Sequence, residues 1–274
     1  MIRQGSATRR RTTAALMYHD IVAAGAEDSS GFPGRDAARY KVTPERFSGH
    51  LRAVTARRSP ALSGPIITFD DGGVGALTAA TILERYGLRG HFLLTANYIG
   101  SRGFLNECDI RDLHSRGHVI GSHSCSHPLR MGHCSPARLA DEWTRSRDLI
   151  SNIVGEAIAV ASVPGGDYAP AVAGAAARAG FTQLFTSEPT DHPDRVFGLE
   201  LRGRFTIYQW TAASTVEGLV CGSWLPRTRQ TLAWSTRKMS KRLAGRRYLQ
   251  IRRLLLRHDS TVQWGDSEPG KSRV

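Results

Sequence analysis

A chain of 274 residues, 41% of them hydrophobic, can bury a sizeable core as one barrel-sized domain or two small ones. No apolar run approaches the roughly eighteen residues that a membrane-spanning helix needs. The four cysteines (Cys108, Cys125, Cys134, Cys221) form no C-x-x-C pair and no disulfide framework, and Cys125 and Cys134 match no usual zinc-finger spacing. The net charge of +13 is concentrated near the C-terminus, with eleven Lys and Arg between Arg227 and Arg257 and no acidic residue between Gly218 and His258.

In chain order, residues 1–13 read as a basic disordered tail. Ala14-Ala15-Leu16-Met17 runs into Tyr18-His19-Asp20 as a first strand; no apolar signal segment precedes it, which predicts a cytoplasmic protein. Residues 23–41 lack periodicity and read as a loop. Thr43-Pro44 opens a short helix with Phe47 and Leu51 on one face. Ile66-Ile67-Thr68-Phe69 is an apolar, β-branched strand stopping at Asp70-Asp71-Gly72. A helix from about Val74 to Tyr86, the strand His91–Leu94, a short helix capped by Asp109 and the strand Val119-Ile120 lead to His123. Ser135-Pro136 starts a long amphipathic helix stopped by Gly155. Then come a strand over 158–161, the loop Pro164-Gly165-Gly166, an Ala-rich helix from Pro170, a strand over 181–186 and a last strand over 205–210. Strands alternating with helices imply a parallel sheet, closed or nearly so.

His123 and His127 stand four residues apart, so one tight loop can aim both imidazoles at a single ion. Two histidines and a carboxylate form an open divalent-metal site with room for water and substrate. Adjacent aspartates on extended backbone point to opposite sides, so one can face the metal while the other acts as a base. His91 and His118 sit within strand patterns and are assigned to structure; His133 reads as a surface loop residue.

Leu16-Met17-Tyr18-His19-Asp20-Ile21, Thr68-Phe69-Asp70-Asp71-Gly72, Gly117–Ser122, His123-Ser124-Cys125-Ser126-His127-Pro128 and Val163-Pro164-Gly165-Gly166 occur in an order and spacing that resembles the polysaccharide deacetylase family, the NodB-homology domain. The resemblance covers about Ala15 to Thr215. It implies an α/β fold, a distorted (β/α)7-type barrel with parallel strands over residues 14–215, followed by a basic helical extension over 216–274. It also implies that Asp71, His123 and His127 hold a divalent metal, zinc first with cobalt, manganese or nickel as alternatives. Asp70 is then the general base, and Pro164, Gly165, Gly166 and Tyr168 are expected to contact substrate. The implied substrate is an N-acetylated amino sugar of a polysaccharide, oligosaccharide or lipid-linked glycan.

The chain departs from that family twice. No histidine occurs between His192 and His258, where the family's late acid is expected, and Ala161-Ser162-Val163-Pro164 stands where its base-orienting arginine is expected. Either other groups substitute, with His19 or His192 as acid (His19 the first candidate) and Arg202 or Arg204 as orienting cation, or the protein binds glycan and turns over poorly. Tyr18 and Asp20 could orient His19, which has an equally simple reading as a core-capping residue. For the predicted basic helix over 228–257 three readings compete: a solvated face of a barrel cap, an anionic membrane surface, and nucleic acid, for which no base-reading motif is present.

Overall fold

The computed structural model describes residues 13–56 and 64–244. The expected N-terminal tail, but for residue 13, and the basic helix beyond 244 lie outside the described residues. The elements in order are β1 (Ala15–Tyr18), β2 (Asp20–Ile21), α1 (Arg35–Ala38), β3 (Lys41–Val42), α2 (Pro44–Thr55), β4 (Ile66–Phe69), α3 (Gly75–Arg85), β5 (His91–Leu94), α4 (Glu107–Ser115) and β6 (Val119–Ser122). They continue with α5 (Pro136–Val154), β7 (Val160–Ser162), α6 (Pro170–Arg178), β8 (Gln183–Phe185), β9 (Asp194–Val196), β10 (Leu199–Arg202), β11 (Phe205–Thr206), α7 (Ala213–Cys221) and α8 (Trp224–Ala244). The chain divides into two compact units, Met1–Leu232 and Ala233–Val274.

Nine strands form one curled sheet in the order β11-β1-β4-β5-β6-β7-β8-β10-β9, parallel except for the β9–β10 hairpin. This is the expected distorted (β/α) barrel. Its closure is covalent: β10 pairs with β8 at one end of the sheet, β11 pairs with β1 at the other, and only Gly203-Arg204 separates them. The open side of β11 is satisfied by a side chain, since Gln230 accepts from Thr206 N at 3.1 Å and donates to Thr206 O at 2.9 Å.

Pleat parity sorts the strands into two faces. Leu16, Tyr18, Ile67, Phe69, Phe92, Leu94 and Ile120 join the main core under the helices, where Tyr18, Phe47, Phe69 and Phe92 follow one another at ring separations of 4.9–5.7 Å. Ala15, Leu93 and Phe185 form a second small cluster. The same parity carries Thr68 and Asp70 on β4, His19 after β1, His123 after β6 and Ser162 on β7 to the barrel interior and its mouth.

The helix signals hold where capping chemistry is explicit: Thr43 and Ser135 accept from Arg46 N and Arg138 N, and Gly155 ends α5 in the left-handed conformation. Four expectations change. Asn106, not Asp109, caps α4, with Asp109 closing a capping box behind it. The stretch over 23–41 holds α1 and β3. The last strand stops at Thr206, so that 207–210 form a turn instead, and β9, β10 and α7 were not expected.

Candidate metal centre

Two loops at the C-terminal ends of β4 and β6 build the site, each through uncommon backbone. After Asp70, whose amide extends the ladder to Tyr18 O at 3.1 Å, Asp71 adopts φ 78° and Gly72 φ 90°. That reversal turns Asp71, which pleat parity alone would send outward, into the mouth beside Asp70. In the second loop Ser124 (φ 68°) and His127 (φ 56°) are also left-handed. Non-glycine residues held there cost of order 1–3 kcal/mol each and persist where surroundings fix them.

The fixing groups are serines and one buried acid. Ser122 Oγ accepts from Ser124 N at 3.0 Å and donates to Ser146 on α5, while Ser124 Oγ accepts from His127 N at 3.1 Å. Glu142, 3% exposed, accepts from Cys125 N at 3.0 Å, Ser126 N at 2.8 Å and Ser126 Oγ. Sequence reasoning missed Glu142. Its signal was present: an acid on the apolar stripe of α5, between Leu139 and Trp143, must be buried and must find donors.

Within this cradle one atom each of Asp71, His123 and His127 lies within 4.8 Å of the others, the one such cluster among the described residues. Both imidazole Nε2 atoms stand 3.5 Å from Asp71 Oδ1. The tautomer of His123 follows from its other side. Its Nδ1 faces the carbonyl of Ser162 at 3.2 Å and Ser162 Oγ at 2.6 Å; a carbonyl only accepts, so Nδ1 carries the proton and Nε2 offers a lone pair to the centre.

Burial lowers the pKa of His123 to about 3 and that of His127 to about 4, which favours the neutral imidazoles at physiological pH. Burial also pushes Asp71 up to about 7, with Asp70 and Asp20 adding repulsion against the opposing influence of His19. Asp71 Oδ1 is buried and has no hydrogen-bond donor. A carboxylate and two imidazoles converging on one point are a donor set for a divalent cation, and the residues present fit one.

Asp70 sits in the opposite situation. Burial alone would raise its pKa, but Arg204 outweighs it and holds the carboxylate ionised well below the usual range. The contact is a bidentate fork, Nη1 to Oδ1 at 2.7 Å and Nη2 to Oδ2 at 2.8 Å, with both side chains buried. Arg204 also donates to Thr68 Oγ1 at 2.9 Å and to Thr186 O at 3.1 Å. Ser162, standing where an arginine was expected, donates to Asp70 Oδ1 at 3.1 Å and so ties Asp70 to His123. Of the two arginines proposed from sequence, Arg202 is engaged by Glu200 and Thr13 O, and Arg204 is the one at the site.

His19 reaches the same mouth, near enough to act electrostatically on Asp70 and Asp71. Its Nδ1 is buried without a partner and its ring lies 4.5 Å from that of Tyr40. Neither expected orienting neighbour serves it. Tyr18 donates to His50, and Asp20 accepts from Ser30 at 2.7 Å while filling the space against Gly31 and Gly73, because both lie on the opposite pleat face. His192 is exposed and pairs with Asp191 at 3.5 Å, so the structure does not bring it into the cluster. Pro164–Gly166 forms a turn after β7 with Gly165 and Gly166 at φ 60° and 63°, facing Leu129 O and Ser187, and Tyr168 packs partly buried on the core. His118, as assigned, is structural, accepting from Gly90 N and facing Glu84.

The structure is thus a half-open parallel barrel with an Asp-His-His cluster and a clamped second aspartate at its mouth. The chain is similar to the polysaccharide deacetylases: their family model matches residues 64–184, somewhat under half of its length. The Bacillus subtilis (strain 168) protein YxkH, which carries the name of a polysaccharide deacetylase, is 27% identical over 192 residues. That match covers 64% of each chain, a little under two thirds of YxkH. Among solved structures, the Streptococcus pyogenes deacetylase PplD in complex with acetate superposes at TM-score 0.64 with 19% identity, covering 76% of this chain and 98% of that one. IcaB from Ammonifex degensii superposes at 0.61 with 18% identity, covering 77% and 96%. These likenesses establish the fold.

Proposed function

We propose that the protein is a metal-dependent hydrolase that removes N-acetyl groups from amino sugars of a polysaccharide, oligosaccharide or lipid-linked glycan. The observation that carries this reading is the convergence of Asp71, His123 and His127 within 4.8 Å beside an Asp70 clamped by Arg204. Asp71, His123 and His127 would hold a divalent ion of the zinc class, which supplies a polarised acetamide carbonyl and an acidified water. Asp70 accepts the proton of the attacking water; Arg204 and Ser162 keep it ionised and aimed. His19 delivers a proton to the departing amine. Pro164–Gly166 and Tyr168, which follow β7 and Ser162 in the chain, are assigned to substrate contact. PplD, a structural neighbour, was captured with acetate, the product expected here.

The test is acetate release from an N-acetylglucosamine oligosaccharide, measured with metal-loaded protein and again after chelation. Release that chelation does not reduce would overturn the metal-dependent reading. A second reading, a glycan-binding protein of the same fold with weak turnover, is favoured by one observation: no histidine lies between His192 and His258 to act as the late acid. Glycan binding without acetate release would select it. For the basic extension we propose an anionic membrane surface. Leu225, Leu232 and Met239 on α8 are exposed at seven-residue intervals among basic residues, the pattern of an interfacial helix. Salt-sensitive binding to phosphatidylserine vesicles, lost on deleting residues 233–274, supports it; deletion from 226 would also remove Gln230 and Arg227, which hold the barrel edge.

A further inference from the structure

Beside His19 the barrel mouth continues into a row of aromatic rings that the chemistry above does not use. His19 lies 4.5 Å from Tyr40 at a tilt of 35°, Tyr40 lies 5.3 Å from Tyr208, and Tyr208 lies 5.1 Å from Trp210 with the two planes only 3° apart. The register explains the juxtaposition. Met17 of β1 is paired with Thr206 of β11, so two residues on His19 and Tyr208 emerge side by side at the same sheet edge. Trp210, at the outer end, is 57% exposed, and the guanidinium of the exposed Arg39 is 5.9 Å from its ring.

The backbone that carries this indole is tied down on both sides. Tyr208 N donates to Thr211 Oγ1 and Thr211 N to Tyr208 O, both at 2.9 Å, while Gln209 N donates to Arg39 O at 2.8 Å. Buried His50 anchors the turn: its Nε2 donates to Thr211 O at 2.9 Å, which leaves Nδ1 to accept from Tyr18. The rings are flanked by polar neighbours (Gln209, Arg39, Thr211). Flat aromatic faces with adjacent donors suit the apolar faces and hydroxyl rims of pyranose rings, and a stacked, pre-ordered platform loses little entropy on binding.

We propose that Tyr40, Tyr208 and Trp210 form a glycan-binding track that holds sugar units flanking the one placed at the Asp71–His123–His127 centre, so that the substrate is a chain and not a single sugar. This rests on the glycan reading of that centre and adds where the chain runs, past His19 and outward over Trp210.

The test is binding, read without turnover. Calorimetry with metal-loaded protein compares N-acetylglucosamine with its β-linked pentasaccharide, in the parent, Trp210→Ala and Trp210→Phe. The expected result is that the parent prefers the pentasaccharide, that Trp210→Ala weakens its binding about ten-fold or more, and that Trp210→Phe, which keeps an aromatic face, restores most of it. Equal pentasaccharide affinity in the parent and Trp210→Ala, or no preference for the longer sugar in the parent, overturns the track. Trp210-dependent binding with no acetate released from any of these sugars would leave the track standing and remove the hydrolase reading; acetate release with Trp210-independent binding would do the reverse.

Discussion

Replacing Asp71 with Asn should abolish divalent-metal binding and yet make the metal-free protein more stable. In the parent, burial and the neighbouring carboxylates push Asp71 up to about 7. For an acid, a raised folded pKa means that the native state holds its proton more tightly than the unfolded chain. The penalty is absent below the unfolded value near 4, grows as pH rises towards 7 and is complete above it. A shift from 3.8 to about 7 corresponds to up to about 4 kcal/mol. Asn carries no charge, tolerates the left-handed φ of 78° as Asp does, and offers an amide N–H to the two imidazole Nε2 atoms 3.5 Å away, so the orphaned Oδ1 position gains a donor. The assay is denaturant unfolding of chelated parent and variant from about pH 4 to pH 8. The variant should be the more stable by several kcal/mol at pH 8, with the gap closing towards pH 4. His123 and His127 contribute equally to both proteins and cancel in the comparison. A variant no more stable than the parent at pH 8, or a gap independent of pH, would refute the view that Asp71 is a strained carboxylate waiting for a cation.

His123→Ala should purify without metal, because it removes one of three converging donors; unchanged metal content by elemental analysis contradicts the assignment. Asp70→Asn should retain metal while acetate release falls roughly 10²–10⁴-fold, and loss of the metal instead would mean that the roles of the two aspartates are exchanged. Arg204→Gln strands a buried carboxylate and should cost about 3–5 kcal/mol, much of it recovered in the Asp70→Asn, Arg204→Gln double variant; simple additivity in the cycle would deny the coupling. His19→Ala should slow hydrolysis of an N-acetyl substrate more than that of an acetyl ester, whose leaving group needs less protonation, and equal losses on both would return His19 to a structural role.

The parts of the site legible in the sequence are those where local chemistry is decisive. Ile66–Phe69 stops at two acids because a buried strand cannot continue through them, and His123 and His127 share one short loop. What escaped the sequence depends on partners distant in the chain. Glu142 is one helix residue among several charged ones until α5 is laid against the His loop, 16 residues back. The choice between Arg202 and Arg204 turns on where the chain leaves β10 and crosses to β11, which only the pairing of β10 with β8 and β11 with β1 fixes. Asn106 outcompeted Asp109 as cap because both lie within one turn and the sequence favours neither strongly. The terminal strand was overrun because Phe205–Trp210 alternates well, yet Tyr208–Thr211 closes a turn stabilised by side chains.

The replacement of the expected arginine by Ser162 is compensated by the way the barrel closes. Gly203-Arg204 is the covalent seam between β10 and β11, which are not paired with each other in the sheet; Arg204 N donates instead to Glu188 O at 2.8 Å. Gly203 permits the tight passage, since an added Cβ would meet Glu188 O at 2.3 Å. Arg204 then spans the seam with its side chain, reaching Thr186 O after β8 and Thr68 and Asp70 on and after β4. One guanidinium thus does two jobs. It links the segments that follow β8 and β4 through its side chain, and it clamps the Asp70 carboxylate. An arginine at position 162 would compete for the same carboxylate and introduce a second buried cation, so the small hydroxyl of Ser162 is the residue that fits. It still bridges Asp70 to His123, which keeps the candidate base and the candidate ligand in one hydrogen-bonded unit. By this logic the two departures from the family pattern differ in kind. The missing arginine is supplied from another strand at bonding distance, whereas the late histidine has only His19, held by an aromatic ring and not by a carboxylate, to stand in for it.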